Sequence, residues 1–448
     1  MRRGRWIALL SVVAVSATYL SVAGGAGAQE DETPEATEIG VTADTITITV
    51  IADVDNAARP GLFRGSRDGV MAAAEYINEE EGGLAGRTLE VNFIDSRLSG
   101  DEARSALIQA CQESYAVVGT TALFMNNIEP AETCVDQAGA ATGLPDVPVL
   151  QTETEHQCSP VSFPVIAGQL DCDSLEAGGP ETYTTRQGHV NYHLRRNDGE
   201  LSGVWVIPGD LPSTIRATVP LVEGAIEAGI EEVDRFEASA LGGQGEFTAP
   251  MQAVKSGGAT YVLNGLDYRG TVQMRKEATI QGVTGVEVWD CTIQCYDQRF
   301  IEEGGADVEG QFVSTFFIPF EEARQNNSIQ QFLKYVGREN ADGFGAQAWA
   351  AGLFFRDVVN DIVEADGVNG LTRAAFLEAA ANVHDFTGDV DGEGMLAPTD
   401  VGGRQINSCF VMMRVEDGEF ERVFPKKKGT HSCKDRRNLV TVEVDQVQ

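Results

Sequence analysis

TITITVI, residues 45–51, sets the reading of everything that follows it. Its strict alternation places Ile46 and Ile48 on one side of a β-strand. Behind it comes the loop ADVDNAARPG, and then a helical pattern over 67–80 in which Val70, Ala73, Ala74 and Ile77 form an apolar stripe. GGLAGR (82–87) breaks that helix, and a second strand runs from 89 to 94 and ends at Asp95. A helix over 101–113 leads to YAVVG (115–119), another around 130–139 leads to PVLQ (148–151). Four strands thus alternate with three helices, the pattern of a parallel sheet wrapped by helices.

From about 156 to 181 the rhythm lapses into a connection bearing Cys, Pro and Gly, and then restarts. The pattern predicts a helix over 186–196 before GVWVI (203–207) and one over 215–228 before a short strand near Val233. Helices over 249–256 and 270–281 precede YVLNG (261–265) and VEVWD (286–290), and QFVSTFF (311–317) follows. The two runs predict two α/β lobes rather than one long sheet. Helical sequence returns at 327–337 and 345–366, where Ala348, Ala351, Phe355, Val358 and Ile362 step by three and four. Thr372 can cap a last helix over 373–381, and INSCFVMMRV turning into GEFERVF reads as a hairpin.

The 448 residues hold 33 Lys+Arg against 68 Asp+Glu, a formal charge of −35. Residues 1–28 contain three Arg and no acid, so their removal leaves −38. Such a surface repels phosphate backbones and anionic membranes, which argues against nucleic acid as a partner. That N-terminal stretch has the form of a secretory signal: Arg2, Arg3 and Arg5, an apolar run from Ile7 to about Val22, then Ala26-Gly27-Ala28 as an A-x-A cleavage site. Cleavage after Ala28 would begin the mature chain at Gln29, and 29–39 reads as a mobile acidic leader. The expected location is therefore outside the cytoplasm, secreted or periplasmic.

Eight cysteines suit four bridges in an oxidising compartment. The sequential pairing is Cys111–Cys134, Cys158–Cys172, Cys291–Cys295 and Cys409–Cys433, one among 105 connectivities. Zinc is the competing use, although no C-x2-C pair occurs. His189 and His193 stand four apart on a predicted helix, but Val190 occupies the place of the HExxH glutamate; two surface histidines are the simpler reading. Asp389, Asp391 and Gly392 imitate a calcium loop that fails at Pro398. No G-x-S-x-G is present. No cofactor and no metal are implied. Lys426, Lys427 and Lys428 read as a solvated turn, and Trp205 and Trp289 as strand residues in the core.

Three segments, EIGVTADTITITV (38–50), AAEYINEEEGGLAGRTLEVNFIDS (73–96) and YAVVG, resemble the opening of type I periplasmic binding proteins. The nearest group resembled is the branched-chain amino-acid (Leu/Ile/Val) binding proteins of ABC importers, in particular their actinobacterial relatives. CYDQRFIEEGGADVEGQFVSTFFIPFEEA (295–323) is similar to a later stretch of that family, and FTGDVDGEGM (386–395) to its turn before the closing strands. The resemblance implies two Rossmann-like lobes with parallel sheets, three hinge crossovers and a ligand cleft between the lobes. Lobe 1 would comprise 40–165 and 320–395; lobe 2 would comprise 180–315 and 400–440. It also implies a small-molecule ligand, an amino acid or related amide, captured by hinge closure and passed to a membrane permease by a protein that is monomeric and not an enzyme. A sensor module or a hydrolase using acids of the cleft, such as Asp53 and Asp290, are the rival readings.

Ligands of such sheets sit beyond the carboxyl ends of the strands. The loops there offer Asp53, Asp55, Thr120, Thr121 and Thr152 with Glu153 on the first lobe. On the second they offer Ser213 with Thr214, Tyr268 with Asp267, and Asp290. Hydroxyls would meet a carboxylate, and an acid beside an aromatic face would meet an ammonium. The resemblance implies a hydroxyl at Thr120-Thr121, an aromatic at Tyr268 and an acid near Asp290. VGTTALF and NGLDYRG depart from the usual wording of those loops, which leaves ligand identity open.

Overall fold

The computed structural model describes residues 32–57, 59–168 and 170–444, so the expected signal segment lies outside the described residues. Among these residues, β1 (Thr45–Ala52), β2 (Thr88–Asp95), β3 (Ala116–Val118) and β4 (Asp146–Val147) form a parallel sheet in the order β2-β1-β3-β4. Ile46 lies opposite Leu89, and Ile48 opposite Ala116. Ile46, Ile48 and Val50 are fully buried, which is what the alternation in β1 demands.

Two long helices cover this sheet, Arg64–Glu80 and Gly343–Asp366. They meet on small residues: a Cβ at Gly69 would run into the carbonyl of Gly345, and one at Gly352 would crowd Ala73. This close approach explains why the expected stripe is alanine-rich and why the second helix buries nearly all its faces. Thr372 caps helix Arg373–Ala380 through the amide of Ala375 at 3.1 Å.

The second sheet runs β14-β13-β10-β9-β8-β6-β7. Its strands are β6 (Ser202–Pro208), β7 (Glu231–Ala238), β8 (Tyr261–Asn264), β9 (Val288–Cys291) and β10 (Gln311–Thr315), all parallel, with β13 (Val411–Glu416) and β14 (Glu419–Phe424) added as an antiparallel hairpin. Trp205 is fully buried, its indole N–H donating to Glu232 at 2.8 Å. Two further pairs are antiparallel: β5 (Thr182–Arg186) with β15 (Leu439–Glu443), and β11 (Asp389–Val390) with β12 (Glu393–Gly394).

The chain leaves the first sheet after β4, returns to its helices after β10 and crosses again before β13. The second and third crossovers run side by side, with Phe317 paired to Leu396 and the amide of Ile318 donating to the Met395 carbonyl at 2.8 Å. The four disulfides join the cysteines sequentially, with Cα separations from 4.2 to 6.1 Å.

Several expectations differ from the structure. The helix around 130–139 shrinks to Glu129–Glu132; its expected second half is instead a turn in which the Asp136 carboxylate accepts the amides of Ala138 and Ala140 around Gly139 at positive φ. The strand at 148–151 is β4 instead, since Pro148 has no N–H to extend the ladder. Residues 182–186 are a strand, not the lead-in to a helix; the helix begins at Gly188. His189 and His193 are both buried, so they are not surface histidines: that helix turns this face onto the sheet, where His193 meets the ring of Phe312 edge-on. The acidic segment expected to be mobile is held over its described part. The Thr37 hydroxyl donates to the Leu371 carbonyl, and Glu38 is buried with its carboxylate accepting the amides of Ile39, Gln137 and Arg373.

Candidate functional site

Loops at the carboxyl ends of the parallel strands of both sheets face each other across two adjoining cavities. The first sheet contributes Arg59, Phe63, Leu123, Leu150 and Thr152. The second contributes Pro208 at the end of β6, Leu241 after β7, Asp267 and Tyr268 after β8, and Thr292 after β9. The start of helix Gly343–Asp366 adds Asp342, Gly343 and Phe344. The second cavity lies beside this one and shares Leu150, Ala217, Leu221, Thr292, Gln294 and Phe344 with it; beyond them it reaches Arg186, His189 and Asp290. Its walls combine apolar side chains such as Ile166, Leu263, Phe316 and Phe410 with polar ones that include Gln151, Gln157, Ser314, Gln347 and Ser408, a make-up that suits a small-molecule site.

Charged pairs bridge the two sides. Arg59 reaches Asp267 at 3.3 Å, and the other oxygen of Asp267 caps helix Tyr268–Gln281 through the Gly270 amide. Arg216 is paired with the buried Glu153. Arg269 donates to the Pro60 carbonyl at 3.0 Å, and Arg299 spans Asp297 and Asp342. Burial raises the pKa of Asp267 and of Glu153, while Arg59 and Arg216 respectively pull each back.

Of the eight residues expected to hold a ligand, Thr152 and Tyr268 line the first cavity and Asp290 the second. The guanidinium groups of Arg269 and Arg299 lie over the Tyr268 ring, 5.2 and 4.8 Å from its centre. The buried Asp290 accepts the hydroxyl of Tyr261, and His189 stands 3.6 Å away. The other five do not line either cavity. Asp53 accepts the Ser96 hydroxyl and the amides of Leu98 and Leu123, tying three loops together. Thr120 donates to Asp146, which also holds His156 and Ser162. Thr121 donates to the carbonyl of Gly119. Ser213 is fully buried in helix Pro212–Glu227, and Asp55 is exposed.

Arg59, Arg186, Arg216, Thr292 and Gln294 enter the site without having been singled out in the sequence. A signal existed for Arg186: TYTT before it is a β-branched and aromatic run that favours a strand, and an arginine at a strand end points into the adjoining loop region.

Asp342 gives the cleft a pH response. Burial raises its pKa to about 7, the nearby Asp297 charge adds to this, and the Gly345 amide with Arg299 partly offsets both. A carboxyl whose folded pKa lies above its unfolded value holds a proton that the unfolded chain has released. Its contribution therefore weakens stability as pH rises from about 4 to about 7. Asp342→Asn keeps the helix cap and removes the titration. Urea midpoints measured at pH 5 and pH 8 should fall less in this variant than in the parent; parallel losses would contradict the assignment.

A two-lobed α/β chain with a cleft between opposed strand ends is a ligand-trapping architecture. Residues 45–419 match the family model described as periplasmic binding protein, and the chain belongs to that family. Solved structures agree in fold. A leucine binding protein from Thermotoga maritima is 17% identical, with a TM-score of 0.62 over 85% of this chain and 97% of that one. An ABC transporter substrate-binding protein from Desulfitobacterium hafniense in complex with Leu is 17% identical, with a TM-score of 0.59 over 85% and 100%. A fatty acid ABC transporter substrate-binding protein from Thermomonospora curvata is 13% identical, with a TM-score of 0.63 over 88% and 93%. No curated protein matches the chain.

Proposed function

We propose that this chain is the extracytoplasmic solute-binding subunit of an ABC importer, trapping a small ligand between its lobes and delivering it to a membrane permease. The observation that carries this is the cleft itself: strand-end loops of both sheets line two adjoining cavities with shared walls, and Arg59–Asp267 and Arg216–Glu153 reach across it. A ligand touching both walls favours the closed arrangement by its differential affinity for it. The relatives with leucine or fatty acid in their descriptions support a ligand that pairs an apolar body with a polar head, and the apolar walls suit one. Among the described residues no helix is long and apolar enough to cross a membrane. Export followed by cleavage at Ala28 predicts Gln29 as the first residue of the mature protein, which N-terminal sequencing would read.

Thermal unfolding of the purified protein against amino acids, short peptides, amides and urea-like solutes tests the reading. A ligand of the native state must raise the midpoint with concentration, by a free energy of about 2.7 kcal/mol at a hundredfold excess over its dissociation constant. No shift with any small solute, carboxylates included, would count against solute capture.

A further inference from the structure

We propose that the second cavity is a carboxylate site in which Arg186 anchors the head of an elongated, apolar-bodied monocarboxylate, an inference that rests on the solute-binding reading above. The cleft's charges favour an anion. Each carboxylate that lines it already faces a partner: Asp267 has Arg59, Asp297 has Arg299, Asp342 has Arg299 and the Gly345 amide, and Asp290 has the Tyr261 hydroxyl and His189. Arg216 is paired with Glu153. Arg186, more than nine-tenths buried, has no carboxylate partner among the described residues. Its Nε donates to the Asn407 carbonyl at 2.8 Å, and its guanidinium lies 4.2 Å from the Phe316 ring centre. Its Nη2 is buried without a hydrogen-bond partner.

A buried, unpaired cation with an unused N–H is costly unless something completes it. A planar guanidinium fixed on one edge and one face presents its remaining donors to a carboxylate in a geometry lysine cannot copy. The Thr292 hydroxyl in the same cavity is also buried without a partner, and it can donate to the ligand's head. Ile166, Leu263, Phe316 and Phe410 line the space around Arg186, and the shared wall of Leu150, Leu221 and Phe344 continues it into the first cavity. An extended apolar body therefore has somewhere to run, whereas the acids that could meet an ammonium are already engaged and only the carboxamide oxygens of Gln151 and Gln294 are left to accept from it. Arg186 is also tied to two of the three crossovers, through Phe316 and Asn407, so occupancy at its head bears on the hinge.

Calorimetric titration of the purified protein with hexanoate, octanoate, 4-methylpentanoate and phenylacetate, with the primary amide of each, and with leucine tests this. At least one carboxylate should bind, with its amide about 30-fold weaker or worse, as expected when a charged hydrogen-bonded pair is lost. Leucine should bind no more tightly than 4-methylpentanoate. Arg186→Gln should lose the preference and take the amide at least as well as the acid, a swap that a merely structural arginine would not produce. Arg186→Lys should retain part of the preference, and ligand-free unfolding midpoints show whether each variant is folded. Equal binding of acid and amide by the parent, a preference that survives in Arg186→Gln, tighter binding of leucine than of 4-methylpentanoate, or no carboxylate bound to the solubility limit would each overturn the proposal. If a neutral solute raises the unfolding midpoint while every carboxylate fails, solute capture stands and this assignment falls.

Discussion

Arg373→Met is expected to lower the free energy of unfolding by about 4 kcal/mol, the loss that several orphaned buried acceptors would produce. Arg373 is fully buried at the start of the helix that Thr372 caps. Its guanidinium donates to the carbonyls of Cys111 and Ser114 at 2.8 and 2.6 Å, and to that of Val135 at 2.8 Å. These carbonyls belong to the two segments joined by the Cys111–Cys134 disulfide. The arginine thereby fastens a late helix onto the first sheet across more than two hundred residues of chain. Methionine fills much of the same space but leaves the carbonyls without donors in a dry interior. Arg373→Lys keeps the charge with a narrower reach, so its loss should be intermediate. Urea unfolding under non-reducing conditions reads both, and a midpoint for Arg373→Met indistinguishable from the parent would show that water replaces the guanidinium there.

What the sequence made legible follows from the range of the forces involved. The parallel sheets and most of their helices rest on local periodicity, so TITITVI, YVLNG and the 345–366 stripe could be read directly. Strand β5 escaped because five residues, TYTTR, make too short an alternation, and because its partner β15 lies about 250 residues away. Half of the site was hidden for the same reason. Arg59 and Asp267, or Glu153 and Arg216, become partners only once two lobes meet, and no spacing rule relates them. The hydroxyls at Thr120 and Thr121 were visible as residue types at a strand end, but chemistry alone could not show that Asp146 and the Gly119 carbonyl engage them. Tyr268 and Asp290 were nameable because one follows and the other ends a buried strand whose limits can be located to within a residue or two.

Removing the cross-cleft cations together, as Arg59→Ala with Arg216→Ala, is expected to weaken ligand binding by 30-fold or more, roughly 2 kcal/mol or above. The size of the loss depends on where the abandoned partners are left. With the lobes together, Asp267 and Glu153 are largely shut off from water, and burial already disfavours their charged forms. Without the arginines the closed arrangement keeps two desolvated carboxylates stripped of their ion-pair partners, with only the more distant Arg269 acting on Asp267, whereas the open one hydrates them. The closed population falls, and the apparent dissociation constant rises in inverse proportion to the competent fraction. Arg186 itself is untouched, although Arg216 lines the same cavity, so the preference for one ligand head over another should survive while all affinities drop. X-ray scattering of the ligand-free double variant should report a larger radius of gyration than the parent, and excess ligand should bring the two values together. Unchanged radius and unchanged affinity would mean that apolar contact around Phe63, Ile293 and Phe344 closes the lobes and that the arginines merely decorate the seam.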